Sequence, residues 1–248
     1  MLDYRKEVER VCHFIGDYCA RAGFQHLVIG LSGGIDSALS AALAVRAMGK
    51  ENVHAYNIPY RNSHPDSAAD AALVASHLQI DIQSIDISPM VDSYFTANEP
   101  HADTLRKGNW MARIRMNVLY DQAAKHKALV VGTGNLTELM VGYCTQYGDS
   151  ACAFEPIGHL YKTEVWEMAR HLGLPDKVIT KTPTADLWDG QSDEAELGIS
   201  YPMLDAILEA VISNANTDAF PLDAVTKVKR LISSSAFKRS MPPAPERV

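Results

Sequence analysis

The sequence predicts an α/β fold, a parallel sheet with helices on both faces. Short apolar runs alternate with runs of helical periodicity through the first two thirds of the chain, and glycine-bearing turns follow two of the apolar runs. This alternation is typical of strand–helix–strand units, whose long connections bring strands into parallel pairing. We therefore expect a ligand at the carboxyl ends of the strands, near the point where the strand order reverses.

Helices and strands alternate regularly in the first part of the chain. The predicted elements are helix 2–22, strand 26–31, a helix to about 48, strand 52–58, helix 65–78 and strand 80–87. Gly49 suits the end of the second helix, and Pro65 suits the first turn of the third. Strict alternation of apolar and polar residues predicts the last of these strands.

Helices dominate the remainder of the chain. The predicted elements are a short helix after 88, a loop around 98–108, helix 109–127, strand 128–133, helix 135–141, helix 161–172, a loop over 181–193, and helices 201–213 and 221–235. A loop as long as 181–193 inside a compact domain is usually functional. No repeat or linker interrupts the sequence, which favours a single domain over residues 1–248.

Composition and charge narrow the class of protein. The net charge of −7 argues against a broad nucleic-acid surface, which needs clustered Lys and Arg. The amino terminus is charged and has no apolar core, so no signal peptide is expected. No apolar run approaches 20 residues, so no membrane span is expected either. The four cysteines show no C-x-x-C spacing, and we therefore expect them to be reduced thiols. We expect a cytoplasmic protein with no nucleic-acid or membrane partner.

The turn after the first strand, residues 32–37 (SGGIDS), has the composition of an anion site. Gly33 and Gly34 permit positive φ and close approach to the backbone, and the following helix directs its positive dipole end at the turn. Asp36 would repel a phosphate unless Mg²⁺ lies between them. The alternative is that Ser32 or Asp36 caps the helix and the glycines only turn the chain.

The turn resembles the S-G-G-x-D-S pyrophosphate loop of the N-type ATP pyrophosphatases, and it is not a Walker A loop because no G-K-[ST] follows. Four further stretches resemble NAD synthetases: GNWMARIRM at 108–116, GTGNLTE at 132–138, TQYGD at 145–149 and PTADLWDGQSDEAELGISY at 183–201. The order and spacing fit the compact ammonia-dependent members of that family. The resemblance implies an adenine nucleotide alpha hydrolase-like (Rossmann-like) three-layer sandwich, with no glutaminase domain.

The resemblance implies a ligase that completes NAD biosynthesis in two steps. The nicotinate carboxylate of deamido-NAD attacks the ATP α-phosphate, and ammonia then displaces AMP to give NAD. The implied ATP-binding residues are Gly30, Leu31, Ser32, Gly33, Gly34, Ile35, Asp36, Ser37, Thr133, Lys162 and Thr184. The implied ligands of the cofactor Mg²⁺ are Asp36 and Glu138. Lys162 would supply the cation that a P-loop lysine supplies elsewhere.

The same resemblance assigns a second substrate site and an assembly. Arg113, Asp149 and Lys238 would bind deamido-NAD, and Asp149, Lys162 and Thr184 would be catalytic. Arg115 lies two residues after Arg113 and therefore on another helix face, where a structural role is expected. The family works as a homodimer through the helix of residues 108–120, although core packing explains the apolar face of that helix equally well.

The chain departs from its relatives beside the second substrate. Gln146, Ala153 and Phe237 stand where many relatives have Lys, an acidic residue and His, and GTGN replaces the GTDH of one branch. Two other interpretations compete with a NAD synthetase. Another adenylating member, such as a GMP synthetase, an asparagine synthetase or a tRNA-modifying enzyme, would share the loop, but a tRNA enzyme should show basic patches. A nucleotide-binding module without catalysis would lack the pair of metal-binding carboxylates. The presence of Asp36, Glu138 and Lys162 in one chain therefore favours an enzyme.

Overall fold

The structure is a computed structural model that describes residues 2–188 and 190–246. Its strands are β1 His26–Gly30, β2 Val53–Asn57, β3 Ile82–Ser84 and β4 Ala128–Val130. Its α-helices are α1 Tyr4–Ala22, α2 Ile35–Met48, α3 Pro65–Leu78, α4 Ser88–Asn98, α5 Thr104–His126, α6 Leu136–Val141, α7 Lys162–His171, α8 Asp176–Ile179, α9 Asp193–Leu197, α10 Tyr201–Ile212 and α11 Leu222–Ser234. Short 3₁₀ helices occupy Lys50–Asn52 and Ala236–Arg239.

All four strands are parallel and lie in the order β3-β2-β1-β4. The chain first builds outward from β1 through β2 to β3, and then returns to place β4 on the other side of β1. The strand order therefore reverses between β1 and β4, and the turns after these two strands face the same crevice.

Helices cover both faces of the sheet, which confirms the predicted fold class. Leu27 and Ile29 of β1 pack in a core with α1, α2, α3 and α7, whereas Val28 packs in a second core with α4 and α5. This alternation follows from the two-residue period of a strand. A third apolar cluster joins α6, α10 and α11 beside the sheet.

Two predicted boundaries were wrong for identifiable reasons. The loop expected around 98–108 is confined to 99–103, because the Asp103 side chain caps α5 by accepting from the Arg106 N–H at 2.7 Å. The strand expected over 80–87 is confined to Ile82–Ser84, since β3 is an edge strand that pairs only with β2 over three positions. The short helices α8 and α9 were not predicted, because four or five residues do not complete a hydrophobic repeat.

Within residues 2–188 and 190–246, no helix is both long enough and apolar enough to cross a membrane. The four cysteines are unpaired, and Cys19 is fully buried in the first core.

Candidate active site

The turn between β1 and α2 has the backbone of an anion-binding loop. Gly33 adopts φ +81°, and a Cβ on it would lie 2.5 Å from the carbonyl oxygen of Ser67 in α3. Gly34 is the N-cap of α2 and carries no side chain that could cap the helix. The Ser37 hydroxyl donates to the Gly34 carbonyl oxygen at 2.9 Å and so holds the turn. The first-turn N–H groups of α2 thus face the crevice without a side-chain cap.

Asp36, Lys162 and Glu138 form a buried cluster of charges beside this turn. The Lys162 ammonium is 2.6 Å from Asp36 Oδ2 and 3.1 Å from Glu138 Oε1, and the lysine side chain is 2% exposed. Asp36 Oδ1 accepts a hydrogen bond from the amide of Asn135 at 2.8 Å. Both carboxylate oxygens of Asp36 are therefore turned away from its own helix, which excludes the capping interpretation for this residue.

The pKa values of the cluster follow from burial and charge. Burial alone would lower the pKa of Lys162, but the carboxylates of Asp36 and Glu138 outweigh it and raise that pKa. Burial raises the pKa of Glu138, and the charge of Asp36 adds to this rise, whereas Lys162 opposes it. The cluster has two carboxyl groups and only one ammonium, and this excess of carboxyl groups favours the binding of a further cation.

Contacts between distant elements hold Lys162 at the first position of α7. The Thr137 hydroxyl accepts from the Lys162 N–H at 3.0 Å and donates to Asp205 Oδ1 at 2.5 Å. Asp205 Oδ2 accepts from the Thr163 N–H at 2.9 Å. Asp205 was missed by the sequence analysis, although an acidic residue among the apolar positions of α10 was a usable signal.

The turn after β4 contributes the other side of the crevice. Thr133 lies there half-buried, and Asn135 caps α6 by accepting from the Glu138 N–H at 3.0 Å. Glu155 fills the space that Gly132 and Gly134 leave open, and its carboxylate accepts from the Gly134 N–H at 2.9 Å. Burial raises the pKa of Glu155 to about 7. No sequence motif indicated this residue.

The 181–193 loop lies against the same region, with Asp189 outside the described residues. Thr184 Oγ1 accepts from the Asp186 N–H at 3.1 Å. At the far end, the buried Asp193 accepts from the hydroxyls of Tyr143 at 3.1 Å and Tyr201 at 3.0 Å. The Tyr201 ring in turn lies 5.1 Å from the Lys162 ammonium. Asp193, which was not among the predicted site residues, connects the loop to the charge cluster through Tyr201.

A cavity of about 450 Å³ lies between α4, α5 and the 3₁₀ helix Ala236–Arg239. Its lining is aromatic and basic, from residues Tyr94, Phe95, Arg106, Asn109, Trp110, Arg113, Cys144, Gln146, Phe237 and Lys238. The rings of Tyr94 and Trp110 stack with centroids 3.9 Å apart. Arg113 donates to the Gln146 carbonyl oxygen at 3.2 Å, and Lys238 donates to two carbonyl oxygens, those of Gly142 and Cys144, at 2.7 Å each.

The sequence matches the model of the NAD synthase family over residues 7–242. The chain belongs to the NAD synthase family.

Individual relatives agree with that membership. The chain is 46% identical to the NH₃-dependent NAD⁺ synthetase of Fusobacterium nucleatum, over 96% of this chain and 94% of the relative. It superposes with a TM-score of 0.87 on the NH₃-dependent NAD synthetase of Campylobacter jejuni, at 36% identity, covering 99% of this chain and 100% of that one. It also superposes, with a TM-score of 0.91 at 29% identity, on an NMN synthetase of Francisella tularensis, with both chains covered completely.

These similarities confirm the family, the function and the enzyme class that the sequence predicted. The chain is an enzyme, a ligase that forms a carbon–nitrogen bond in the synthesis of NAD. The competing interpretations as another adenylating enzyme or as a non-catalytic module do not agree with near full-length similarity to NAD synthetases.

The structure brings the predicted residues together in two groups. Residues 30–37, Glu138 and Lys162 meet at the crevice between β1 and β4, whereas Arg113 and Lys238 line the aromatic cavity. Asp149 is not among the residues that line that cavity; its carboxylate accepts from the Thr145 N–H at 2.8 Å. Arg115 donates to the Ile58 carbonyl oxygen at 3.0 Å, so Arg113 and Arg115 have different contacts, as expected.

Proposed function

We propose that the chain amidates deamido-NAD with ammonia at the expense of ATP, through a deamido-NAD adenylate. The products would be NAD, AMP and pyrophosphate. The observation that carries this proposal is the Asp36–Lys162–Glu138 cluster, buried between two glycine-bearing turns at the reversal point of a parallel sheet. A carboxylate is a poor electrophile, and adenylation supplies the leaving group that amide formation needs.

In the first step the enzyme has to orient ATP and balance the charge of its phosphates. Residues 30–37 would hold the pyrophosphate end against the amino terminus of α2, and Thr133 and Thr184 would contact ATP from two other segments. Lys162 would turn its ammonium toward the phosphates. The nicotinate carboxylate oxygen then bonds to the α-phosphorus as the α–β phosphoanhydride bond breaks, and pyrophosphate leaves.

Asp36 and Glu138 fit as magnesium ligands. The space between their oxygens already accepts one cation, the Lys162 ammonium. Among the described residues no group of three or more His, Cys, Asp or Glu side chains could hold a metal ion, so phosphate and water oxygens would have to complete the shell. Asp36 and Glu138 would hold Mg²⁺ beside the phosphates of ATP, where the bound ion would supply positive charge that neutralises the phosphates.

In the second step the enzyme has to present the adenylate to ammonia. Arg113 and Lys238 would bind the dinucleotide from the aromatic cavity, where the stacked rings of Tyr94 and Trp110 offer a face for a base. Asp149 would contact the nicotinate half. The ammonia nitrogen bonds to the carbonyl carbon, the bond from that carbon to the phosphate oxygen breaks, and AMP leaves as one proton is lost.

The direct test is a product assay on the purified protein with ATP, Mg²⁺, ammonium and deamido-NAD. We expect NAD, AMP and pyrophosphate in equal amounts. When deamido-NAD is omitted, no AMP should form. Folded protein that forms no NAD would contradict the proposal.

A second acceptor is favoured by Gln146, an uncharged residue in the aromatic and basic lining of the cavity. Gln146 stands where many relatives have Lys, and the Francisella tularensis structure is named an NMN synthetase. A site with less charge for the dinucleotide would accept nicotinate mononucleotide and release NMN by the same chemistry. The ratio of kcat/KM for the two acceptors, measured in one assay, decides between them.

The assembly and the location of the enzyme belong to the same proposal. We propose a homodimer in the cytoplasm, supported by the resemblance of α5 to the interface helix of the family. Met111 and Val118 of that helix are buried in the second core within one chain, so they are not available to a partner. Sedimentation at micromolar concentration tests the dimer.

A further inference from the structure

Asp186, in the 181–193 loop, joins that loop to the start of α3. Its carboxylate accepts from the His64 N–H at 3.0 Å and from the Ser67 hydroxyl at 2.9 Å. Asp186 has a left-handed backbone with φ +50°. Glycine would adopt that conformation at a lower cost than aspartate. An aspartate at this position therefore contributes its carboxylate and not a favourable backbone conformation.

The residue that Asp186 contacts also touches the proposed pyrophosphate loop. The carbonyl oxygen of Ser67 lies against Gly33, where a Cβ would approach it to 2.5 Å. Ser67 is 6% exposed, so its position is set by packing. One buried residue of α3 therefore faces Gly33 with its backbone and Asp186 with its hydroxyl.

The backbone of Asp186 extends this connection to Thr184, whose hydroxyl accepts from the Asp186 N–H at 3.1 Å. A parallel contact supports the start of the loop, where Lys181 lies 2.8 Å from the buried carboxylate of Asp70 in α3. On the other side, Leu187 and Trp188 pack on Gly108 of α5, where a Cβ would lie 3.1 Å and 3.2 Å from them. The loop is thus held against two helices at adjacent residues.

We propose that Asp186 is a positioning residue that fixes Thr184 relative to the pyrophosphate loop and so sets the affinity for ATP. Asp186 acts through Ser67 and through Thr184 and contacts no substrate itself. This inference rests on the proposed function, because it takes residues 30–37 and Thr184 as the ATP site.

Three variants separate the effect of the Asp186 carboxylate on ATP binding from the effect of the Asp186 backbone conformation. Asp186→Gly keeps the left-handed conformation and removes the carboxylate, and we expect KM for ATP to rise about tenfold, the effect of losing a hydrogen bond to a charged group. Asp186→Asn retains an acceptor for the His64 N–H and should stay within about threefold of the wild type. Asp66→Asn, which changes an exposed carboxylate of α3, is the matched control and should leave KM unchanged.

A coupling measurement excludes a general loss of stability. Ser67→Ala should raise KM for ATP, and the double variant with Asp186→Gly should bind ATP no more weakly than Asp186→Gly alone. Hydrogen exchange should increase in peptides covering 181–188 and 60–67 in the Asp186→Gly protein, with little change in its melting temperature.

Equal KM for ATP in Asp186→Gly and wild type, or multiplying effects in the double variant, would overturn the positioning role. If Asp186→Gly does not fold, Ser67→Ala decides the question, since an unchanged KM for ATP in that variant overturns the role too. Wild-type protein that makes no NAD would instead overturn the proposed function.

Discussion

Replacing Lys162 by methionine tests the charge cluster most directly, because methionine has similar length and no charge. The ammonium lies within 3.1 Å of both carboxylates, and the lysine side chain is 2% exposed. Removing one partner of a buried ion pair costs about 3–5 kcal/mol. The Asp36 and Glu138 side chains are 19% and 16% exposed, so some solvent reaches them and the lower end applies.

For a chain of this size, a loss of about 3 kcal/mol lowers the melting temperature by about 6–12 °C. Because Lys162→Met leaves two carboxylates together, Mg²⁺ should stabilise the variant in the absence of ATP. At a concentration of 100 times its dissociation constant, Mg²⁺ would restore about 2.7 kcal/mol. NAD formation should fall at least about 100-fold, since a preorganised cation is lost from the phosphate site.

The matched control is Lys6→Met, which removes a lysine from an exposed pair. Lys6 lies 3.6 Å from Asp3, and its side chain is 75% exposed. The free energy of unfolding of this control should change by less than about 0.5 kcal/mol. The assays are urea unfolding followed by circular dichroism, with and without Mg²⁺, and NAD formation. If Lys162→Met unfolds within about 1 kcal/mol of the wild type and still makes NAD at the wild-type rate, the argument from the buried charges is refuted.

Three further predictions concern the two turns of the site. Asp36→Ala should stay folded and lose adenylation, measured as pyrophosphate release; unchanged turnover would remove Asp36 from the metal site. Gly33→Ala should lose about 2–3 kcal/mol of unfolding free energy and bind ATP weakly, because its Cβ would overlap the backbone of α3. Its control, Gly23→Ala, has a similar φ of +76° but no atom within 4 Å of the new Cβ, and should lose about 1 kcal/mol; equal losses would exclude a clash. Glu155 has a folded pKa of about 7 against 4.5 for the free side chain. The folded state therefore binds more protons between these values, and stability falls by up to about 3 kcal/mol as pH rises through this window. Glu155→Gln should lack that fall in urea unfolding at pH 5 and pH 8, and identical profiles would contradict the raised pKa.

The strand–helix alternation was sufficient to predict the parallel sheet, since β1, β2 and β4 are buried runs that local periodicity identifies. The start of α5 was missed because a single cap, Asp103, outweighs the weak helical pattern after it. The length of β3 depends on how far β2 extends beside it, and no local pattern contains that information.

The motif residues were predictable because chemistry restricts them. A glycine-bearing turn before a helix suits phosphate, and Asp36 lies 2.6 Å from the Lys162 ammonium. The magnesium ion expected at Asp36 stays a prediction. The contacts of Glu155, Asp193 and Asp205 were not predictable in the same way. Each residue has a carboxylate whose partners lie on other elements, and its burial is visible only after the chain has folded.

Local sequence thus predicted most element types, the glycine-bearing turn and the family, because periodicity and short motifs act over a few neighbouring residues. The tertiary structure decided which charges meet: Lys162 and Asp36 are 126 residues apart, and they are joined because α7 packs against α2 on one face of the sheet. The same holds for Asp186 and Ser67, which are 119 residues apart. Contacts over such distances depend on the packing of whole helices, and their energies cannot be read from either segment alone.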